Sequence, residues 1–256
     1  MTGPRILIFD IERVPMRTKQ LEAWDMKSLQ YRRLTPNDIE SWGRTICLAY
    51  QWLDERKVHF LAEWQEGGRQ AFLENARDML SEADLVVGHN SKGFDVPHLQ
   101  GEFLLDGIDQ PSPFKQFDTL LTARAKANFE ANHLDTLTRR FGLSHKTDKY
   151  SSKIAWAAVE GDEKAQRRIQ RYNEGDVRAT KALYLYMRAL GNVNLNVFFD
   201  DEADVVRCPT CTKTKVQKRG VAVTALGSYQ RYQCQSCSAW GKGKKLLSPT
   251  VEVRPA

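Results

Sequence analysis

The stretch RILIFDIE, Arg5 to Glu12, decides the fold. Residues 5–11 form a short apolar run rich in isoleucine, which reads as a buried strand. Asp10 and Glu12 stand at i and i+2 near its end. Strand alternation turns both side chains to one face. Two carboxylates on one face of a run otherwise made of Ile, Leu and Phe carry a high desolvation cost unless a cation is present. The strand therefore announces a sheet and a charged site together.

Outward from this strand, residues 16–41 are polar, with Trp24 and Tyr31 scattered through them and a break at Pro36. They read as a partly helical excursion that could shape a substrate entrance, and either aromatic could stack on a terminal base or pack in the core. Residues 44–53 and 57–62 read as strands joined by a hairpin-length connection. Residues 66–81 have helical spacing, with Phe72, Leu73, Ala76 and Leu80 on one side. The run DLVVG, residues 84–88, is another strand; after a loop containing Gly93 comes an amphipathic helix to about residue 105. Further helices are expected over 117–127, 132–141 (Asn132 as N-cap, Gly142 past the end) and 162–190, the last with a break near 172–175. Strands first, then alternating helix and strand, then helices, predict an α/β domain around a mixed sheet flanked by helices. Residues 1–192 are expected to form this domain, 193–206 a linker and 207–256 a second, small β-rich domain.

Two further acids stand out by position. Asp95 follows the DLVVG strand at the start of the next element. Asp176 lies on the late helix with Tyr172 one turn earlier on the same face. Carboxylate oxygens suit Mg²⁺ or Mn²⁺. Two such ions about 4 Å apart can clamp the attacking and leaving oxygens of a phosphodiester cleavage. A phenol, with an ordinary pKa of about 10, is neutral at pH 7, which suits Tyr172 to orienting a water.

These residues also carry a family resemblance. FDIE, residues 9–12, resembles the first motif of the DnaQ-like, or DEDD, exonuclease superfamily. VGHNSKGFDVPHL, residues 87–99, resembles the second, with Asp95 as metal ligand. YNEGD, residues 172–176, matches the YxxxD third motif of the DEDDy branch, and the surrounding GDEKAQRRIQRYNEGDVRAT supports it. The resemblance runs from about residue 6 to 190 and looks closest to the exonuclease domains related to family B polymerases and to stand-alone bacterial or phage versions. It implies an RNase H-like fold, two catalytic Mg²⁺ or Mn²⁺ ions on Asp10, Glu12, Asp95 and Asp176, and 3′→5′ removal of nucleotides from 3′ ends; RNA and DNA exonucleases of the superfamily share these acids, and the substrate expected here is DNA, single-stranded DNA above all. Each motif alone is weak; three in order and in the right structural contexts are specific.

The neighbouring polar residues have plainer readings. Asp118 caps the helix that follows it. His89 supports the site and does not act in it, and Asn90 borders it as a candidate nucleic-acid contact. His98 packs on its helix, and Asp135 is a solvated or helix-start acid. Lys146 and Lys149 sit in a polar loop that could meet phosphate. Cys47 is a buried strand residue.

Cys208-Pro-Thr-Cys211 and Cys234-Gln-Ser-Cys237 are two CxxC knuckles separated by 22 residues. Two such pairs can complete a tetrahedral Cys₄ site for one structural Zn²⁺, with no open position for catalysis. The gap can hold a hairpin of residues 216–224 and 229–232, which resembles a zinc ribbon; an iron–sulfur cluster and a redox pair are the competing uses of such cysteines. From residue 207 onward, ten Lys or Arg stand against one acid, Glu252. Lys213, Lys215, Lys218, Arg219, Arg231 and Lys242 surround the knuckles, interleaved with Tyr229, Tyr232 and Trp240. Basic side chains meet phosphates and aromatic faces stack unpaired bases, so the module reads as a nucleic-acid grip. Protein docking and a purely structural appendage are the alternatives.

The 256 residues, 41% hydrophobic and 27% charged, suit a soluble globular chain. No apolar run approaches the ~18 residues of a membrane span, and the start MTGPRILIFD does not read as a signal peptide. A cytoplasmic protein without membrane contact is expected, with nucleic acid as its partner. Proofreading would need a separate polymerase partner. An exoribonuclease, or a binding module on an inactive nuclease scaffold, stands as the alternative function.

Overall fold

The computed structural model describes residues 3–19, the backbone of 22–23, and residues 35–143, 150–199 and 205–249. The expectations for Trp24, Tyr31, Lys146 and Lys149 lie outside the described residues. The chain forms two compact units, Arg5–Leu185, and Tyr186–Ala256 together with Met1–Pro4.

The larger unit begins with β1 (Ile6–Val14), β2 (Met16–Thr18), β3 (Glu22–Ala23), β4 (Ile39–Ser41), β5 (Arg44–Trp52) and β6 (His59–Ala62). Helix α1 (Gly68–Ser81), β7 (Leu85–Gly88), α2 (Asp95–Leu105), β8 (Lys115–Asp118), α3 (Thr119–Lys126), α4 (Leu134–Arg140), α5 (Ser152–Val159) and α6 (Glu163–Met187) follow. The main sheet has the order β6-β5-β1-β7-β8, and β2, β3 and β4 make a small sheet of their own. Strand β1 pairs antiparallel with β5 and parallel with β7, so the sheet is mixed. This is the RNase H-like architecture that the resemblance implied.

Alternation along β1 explains the layers. Leu7, Phe9 and Ile11 point to the face covered by Phe72, Leu73, Ala76 and Leu80 of α1 and Val96, Leu99 and Phe103 of α2. Val14 lies in a second cluster with Ile46, Cys47, Ala155, Trp156 and Ile169, which brings α5 and the start of α6 to the opposite face. Each fully buried Leu, Ile or Phe contributes about 1.5–3 kcal/mol, so the register of β1 is held from both sides. Asp10 and Glu12 share the face of Val14.

Three local expectations differ. Helix α6 runs unbroken through Tyr172 and Gly175. Val177, Ala179 and Leu183 bury its face beyond Gly175, and that packing outweighs the ~1 kcal/mol a helical glycine costs. Helix α4 starts at Leu134 with His133, not Asn132, as N-cap. Residues 115–118 form an edge strand, legible in sequence only through Phe117, because a strand paired on one side carries little apolar pattern.

Gly88 ends β7 where the chain turns toward Asp95. A Cβ there would fall 2.4 Å from Ser91 Cβ and 2.6 Å from its Oγ, and Ser91 is fully buried. Gly88→Ala must therefore displace the turn, at about 1–3 kcal/mol. A thermal midpoint lowered by several degrees is the expected calorimetric result.

The smaller unit holds the 3-10 turns Arg188–Leu190 and Leu195–Phe198 and the strands β9 (Val216–Thr224), β10 (Gly227–Cys234) and β11 (Trp240–Pro249). They form one antiparallel sheet in the order β11-β10-β9. The compact units divide between Leu185 and Tyr186, whereas the helical and charge patterns put the domain edge at 192 and a linker over 193–206. Two contacts account for the difference. Ala189 packs against the cysteine cluster, and the buried Leu195 donates its N–H to the carbonyl of Pro209 at 2.7 Å.

Candidate metal-binding active site

Asp10 and Glu12 project from β1, and Asp176 from α6. One ligand oxygen from each lies within 4.8 Å of the others. Glu12 and Asp176 are buried, Asp10 half-buried. Such a set needs a long-range fold, since 164 positions separate Glu12 from Asp176 along the chain. Three carboxylates at this spacing repel one another unless a cation sits among them, and an all-oxygen donor set suits a hard divalent ion. The residues present thus fit Mg²⁺ or Mn²⁺.

Asp95 opens α2 outside that group of three, beside β1. Its Oδ1 accepts the N–H of Ile11, which lies between Asp10 and Glu12, at 3.1 Å. Burial pushes its carboxyl up to about 7, against the pull of the Ile11 N–H, and Asp118 and Asp176 raise it further. The rise is the energetic signature of a buried acid among like charges.

The turn before Asp95 is tied down by Asp118. Its carboxylate accepts the N–H groups of Asn90 (3.1 Å), Lys92 (3.0 Å) and Leu121 (3.0 Å). It is the N-cap of α3, as expected, and it also clamps the second motif. Asn90 adopts a positive φ of 76°, a conformation asparagine tolerates, and its carbonyl accepts from Gly93 and Phe94. His89 Nδ1 is 2.8 Å from Thr119 Oγ1, which donates to the Gly88 carbonyl. His98 Nδ1 lies 2.8 Å from the Phe94 carbonyl one turn back on α2, and Asp135 pairs with Arg139 at 2.9 Å. Cys47 is fully buried opposite Glu12, and burial, reinforced by Glu12 and Asp10, pushes its thiol well up.

Tyr172 lies one turn before Asp176, half-buried, with its ring centroid 6.1 Å from that of Tyr150. Tyr150 donates its hydroxyl to the Arg13 carbonyl, and burial together with Glu12 drives its phenol up.

Sequence reasoning missed Asn173. It is fully buried, and its Nδ2 donates to both the carbonyl (3.1 Å) and Oδ2 (2.8 Å) of Asp10. Its Oδ1 has no hydrogen-bond partner among the described residues. The one signal in the sequence was its place three residues before Asp176, where a helix presents nearly the same face.

The smaller unit gathers its cysteines tightly. All four Sγ atoms lie within 4.8 Å of one another, with Cys208–Cys237 at 3.6 Å and Cys211–Cys234 at 3.7 Å. A tetrahedron with Zn–S bonds of about 2.3 Å has edges of about 3.8 Å, so the donor set fits zinc. These distances also far exceed a disulfide bond of ~2.05 Å. Around the cluster, Lys213, Lys215, Lys218, Arg219, Arg231, Trp240 and Lys242 are exposed or half-buried, as are Tyr229 and Tyr232. The Arg231 guanidinium lies 5.0 Å from the Trp240 ring centroid and the Lys242 ammonium 4.4 Å from that of Tyr229. Two of the aromatic faces therefore already carry a cation. Arg207, Lys213 and Lys215 line a pocket of about 420 Å³.

A family model of the RNase H superfamily matches residues 38–188, more than half of the chain. The chain belongs to the RNase H superfamily. Among solved structures it is similar to the family B DNA polymerase from the hyperthermophilic archaeon Pyrobaculum calidifontis, with a TM-score of 0.54 and 18% identity. That likeness is one of fold. It covers 77% of this chain and 28% of the polymerase, so the chain spans little more than a quarter of that protein's length. No curated protein sequence matches the chain. Superfamily membership supports a nuclease, with nucleic acid as substrate. Among the described residues, no helix is long and apolar enough to cross a membrane.

Proposed function

We propose that the chain is a 3′→5′ exonuclease that hydrolyses the terminal phosphodiester of DNA, single-stranded DNA above all. The convergence of Asp10, Glu12 and Asp176 within 4.8 Å carries the reading, with Asp95 beside them. Two Mg²⁺ or Mn²⁺ ions held there would neutralise charge on the phosphate and ease deprotonation of the attacking water. The chain's own residues do the rest. Asp10, Glu12, Asp95 and Asp176 hold and space the ions. Tyr172, on the same helical face as Asp176, directs the attacking water through its hydroxyl. Water oxygen bonds to phosphorus, the 3′ oxygen of the preceding nucleotide leaves, and a nucleoside 5′-monophosphate is released. The ribbon carries one structural zinc on Cys208, Cys211, Cys234 and Cys237, and its lysines and arginines hold the strand by its phosphates, with Asn90 as a contact nearer the cleavage site.

Digestion of a 5′-labelled single strand, DNA beside RNA of the same sequence, tests the reading. A ladder shortening from the 3′ end of the DNA, abolished by EDTA, is expected. Cleavage of RNA alone would reassign the substrate, and no ladder on either would sink the nuclease reading. Tyr172→Phe is expected to lower kcat by about 10²-fold with little change in KM, because its hydroxyl serves the water and not the strand.

Asn173→Ala should weaken Mn²⁺ binding by roughly tenfold or more, since removing a hydrogen-bond partner that orients a ligating carboxylate costs about 10–100-fold in metal affinity. Calorimetric titration with Mn²⁺ reads this directly. Unchanged affinity would leave Asn173 as a packing residue alone.

A further inference from the structure

The larger unit holds a pocket of about 370 Å³ that none of the four motif carboxylates lines, and nothing in the chemistry above uses it. Its wall includes Arg13, Trp42, Pro97, His98, Gly101 and Leu105. Arg13 follows Glu12 directly on β1, and His98 stands one turn of α2 beyond Asp95, so both segments that carry motif acids continue into the pocket wall.

Its floor is preformed. Glu102 is buried and accepts the N–H of Thr45 at 2.6 Å and Arg69 Nη2 at 2.6 Å, with Arg13 Nη2 3.7 Å away. Arg69 also pairs with Asp106 at 3.0 Å, and Arg44 with Glu63 at 2.8 Å. These acids and arginines compensate one another, so the pocket is not a bare cationic patch built for a phosphate.

Two features of its lining are costly for a surface with no ligand. Trp42 leaves 58% of its surface exposed. Gly101 sits inside α2, where glycine costs about 0.5–1 kcal/mol relative to alanine, although a Cβ there would meet nothing within 4 Å. Packing inside the protein therefore does not require a glycine. A flat apolar face and open room over a helix backbone suit a planar heteroaromatic ring.

We infer that this pocket receives one unpaired base of the bound strand, stacked on Trp42 and approaching α2 over Gly101. Resting on the exonuclease reading, it makes the site select a frayed or single-stranded end, since a base held in a duplex cannot enter.

The test is affinity for a 5′-labelled single strand, read by fluorescence anisotropy in Ca²⁺, with wild type, Trp42→Ala and Trp42→Phe. Because stacking on one aromatic contributes about 1–3 kcal/mol per base, Trp42→Ala should bind about tenfold more weakly, and Trp42→Phe should recover most of the loss. Gly101→Leu, which fills the pocket, should match Trp42→Ala. Strands carrying an abasic residue at each of the last four positions then locate the base. At one position wild type should lose about tenfold and Trp42→Ala nothing further. Equal affinity of Trp42→Ala and wild type, or a penalty that persists at every abasic position, overturns the pocket assignment. The digestion ladder is scored separately. A wild type that binds with the Trp42 dependence but yields no ladder would refute the nuclease and leave the base pocket standing.

Discussion

Asp176→Asn is expected to lower kcat by roughly a thousandfold, since metal-assisted charge stabilisation is worth several kcal/mol and each 1.36 kcal/mol is a factor of ten. The same change should make the EDTA-treated protein more stable. Asp176 is buried, lies within 4.8 Å of two other carboxylates and raises the Asp95 carboxyl. An isosteric neutral amide removes that repulsion without leaving a cavity. A gain of about 1–2 kcal/mol corresponds to a shift of about one pKa unit in the neighbouring acids, or a few degrees in the thermal midpoint. Mn²⁺ should reverse the order. At a hundred times its dissociation constant an ion stabilises the wild type by about 2.7 kcal/mol, and the variant, short of a ligand, by much less. Differential scanning calorimetry with and without Mn²⁺ reads both signs. A variant less stable than wild type in EDTA would mean that Asp176 is held by its packing and not strained by its charge.

Zinc removal should have the second large effect, confined to the smaller unit. Cys208, Cys234 and Ala239 are the buried members of its apolar cluster. Strands β9 and β11 are largely exposed along their length. Structural zinc supplies about 10–16 kcal/mol of apparent binding energy in comparable small modules, far more than such a core. Cys234→Ala, or a strong chelator, is therefore expected to release one zinc per chain and unfold the three-stranded sheet, while Arg5–Leu185, with apolar clusters of its own, keeps its cooperative transition. Amide spectra of the two units and a colorimetric zinc assay separate these events. Residues 207–256 carry a net charge of +9, so affinity for single-stranded DNA should fall at least tenfold at low salt. The slope of log K against log salt should flatten by about 0.7 for each phosphate the unfolded ribbon no longer neutralises. A folded sheet without metal would refute the structural zinc.

The residue pattern was informative wherever physics is local. Alternation in RILIFDIE placed Asp10 and Glu12 on one face, and a helical turn placed Tyr172 with Asp176. The CxxC pairs announced a four-sulfur cluster, and Asp118 before an apolar stretch announced a helix cap. Each depends on bond geometry within a few residues of chain, save that the two CxxC knuckles must still be brought together across 22 residues. The mixed sheet and its flanking helices followed from the same periodicities and from the motif resemblance.

What tertiary structure decided lies across the fold. That Asn173 grips both the carbonyl and the carboxylate of Asp10 depends on α6 crossing β1 at that register. That Asp118 clamps Asn90 and Lys92 depends on β8 lying parallel to β7. Helix α6 continues through Gly175 because buried side chains beyond it outweigh a local preference. The pocket beside Trp42 exists because β1, α2 and the segment around Gly43 meet there. Short-range rules fix which face a side chain takes; which side chains then meet depends on how the sheet buries β1 between two layers of helices, a cooperative result of packing that no window of sequence contains.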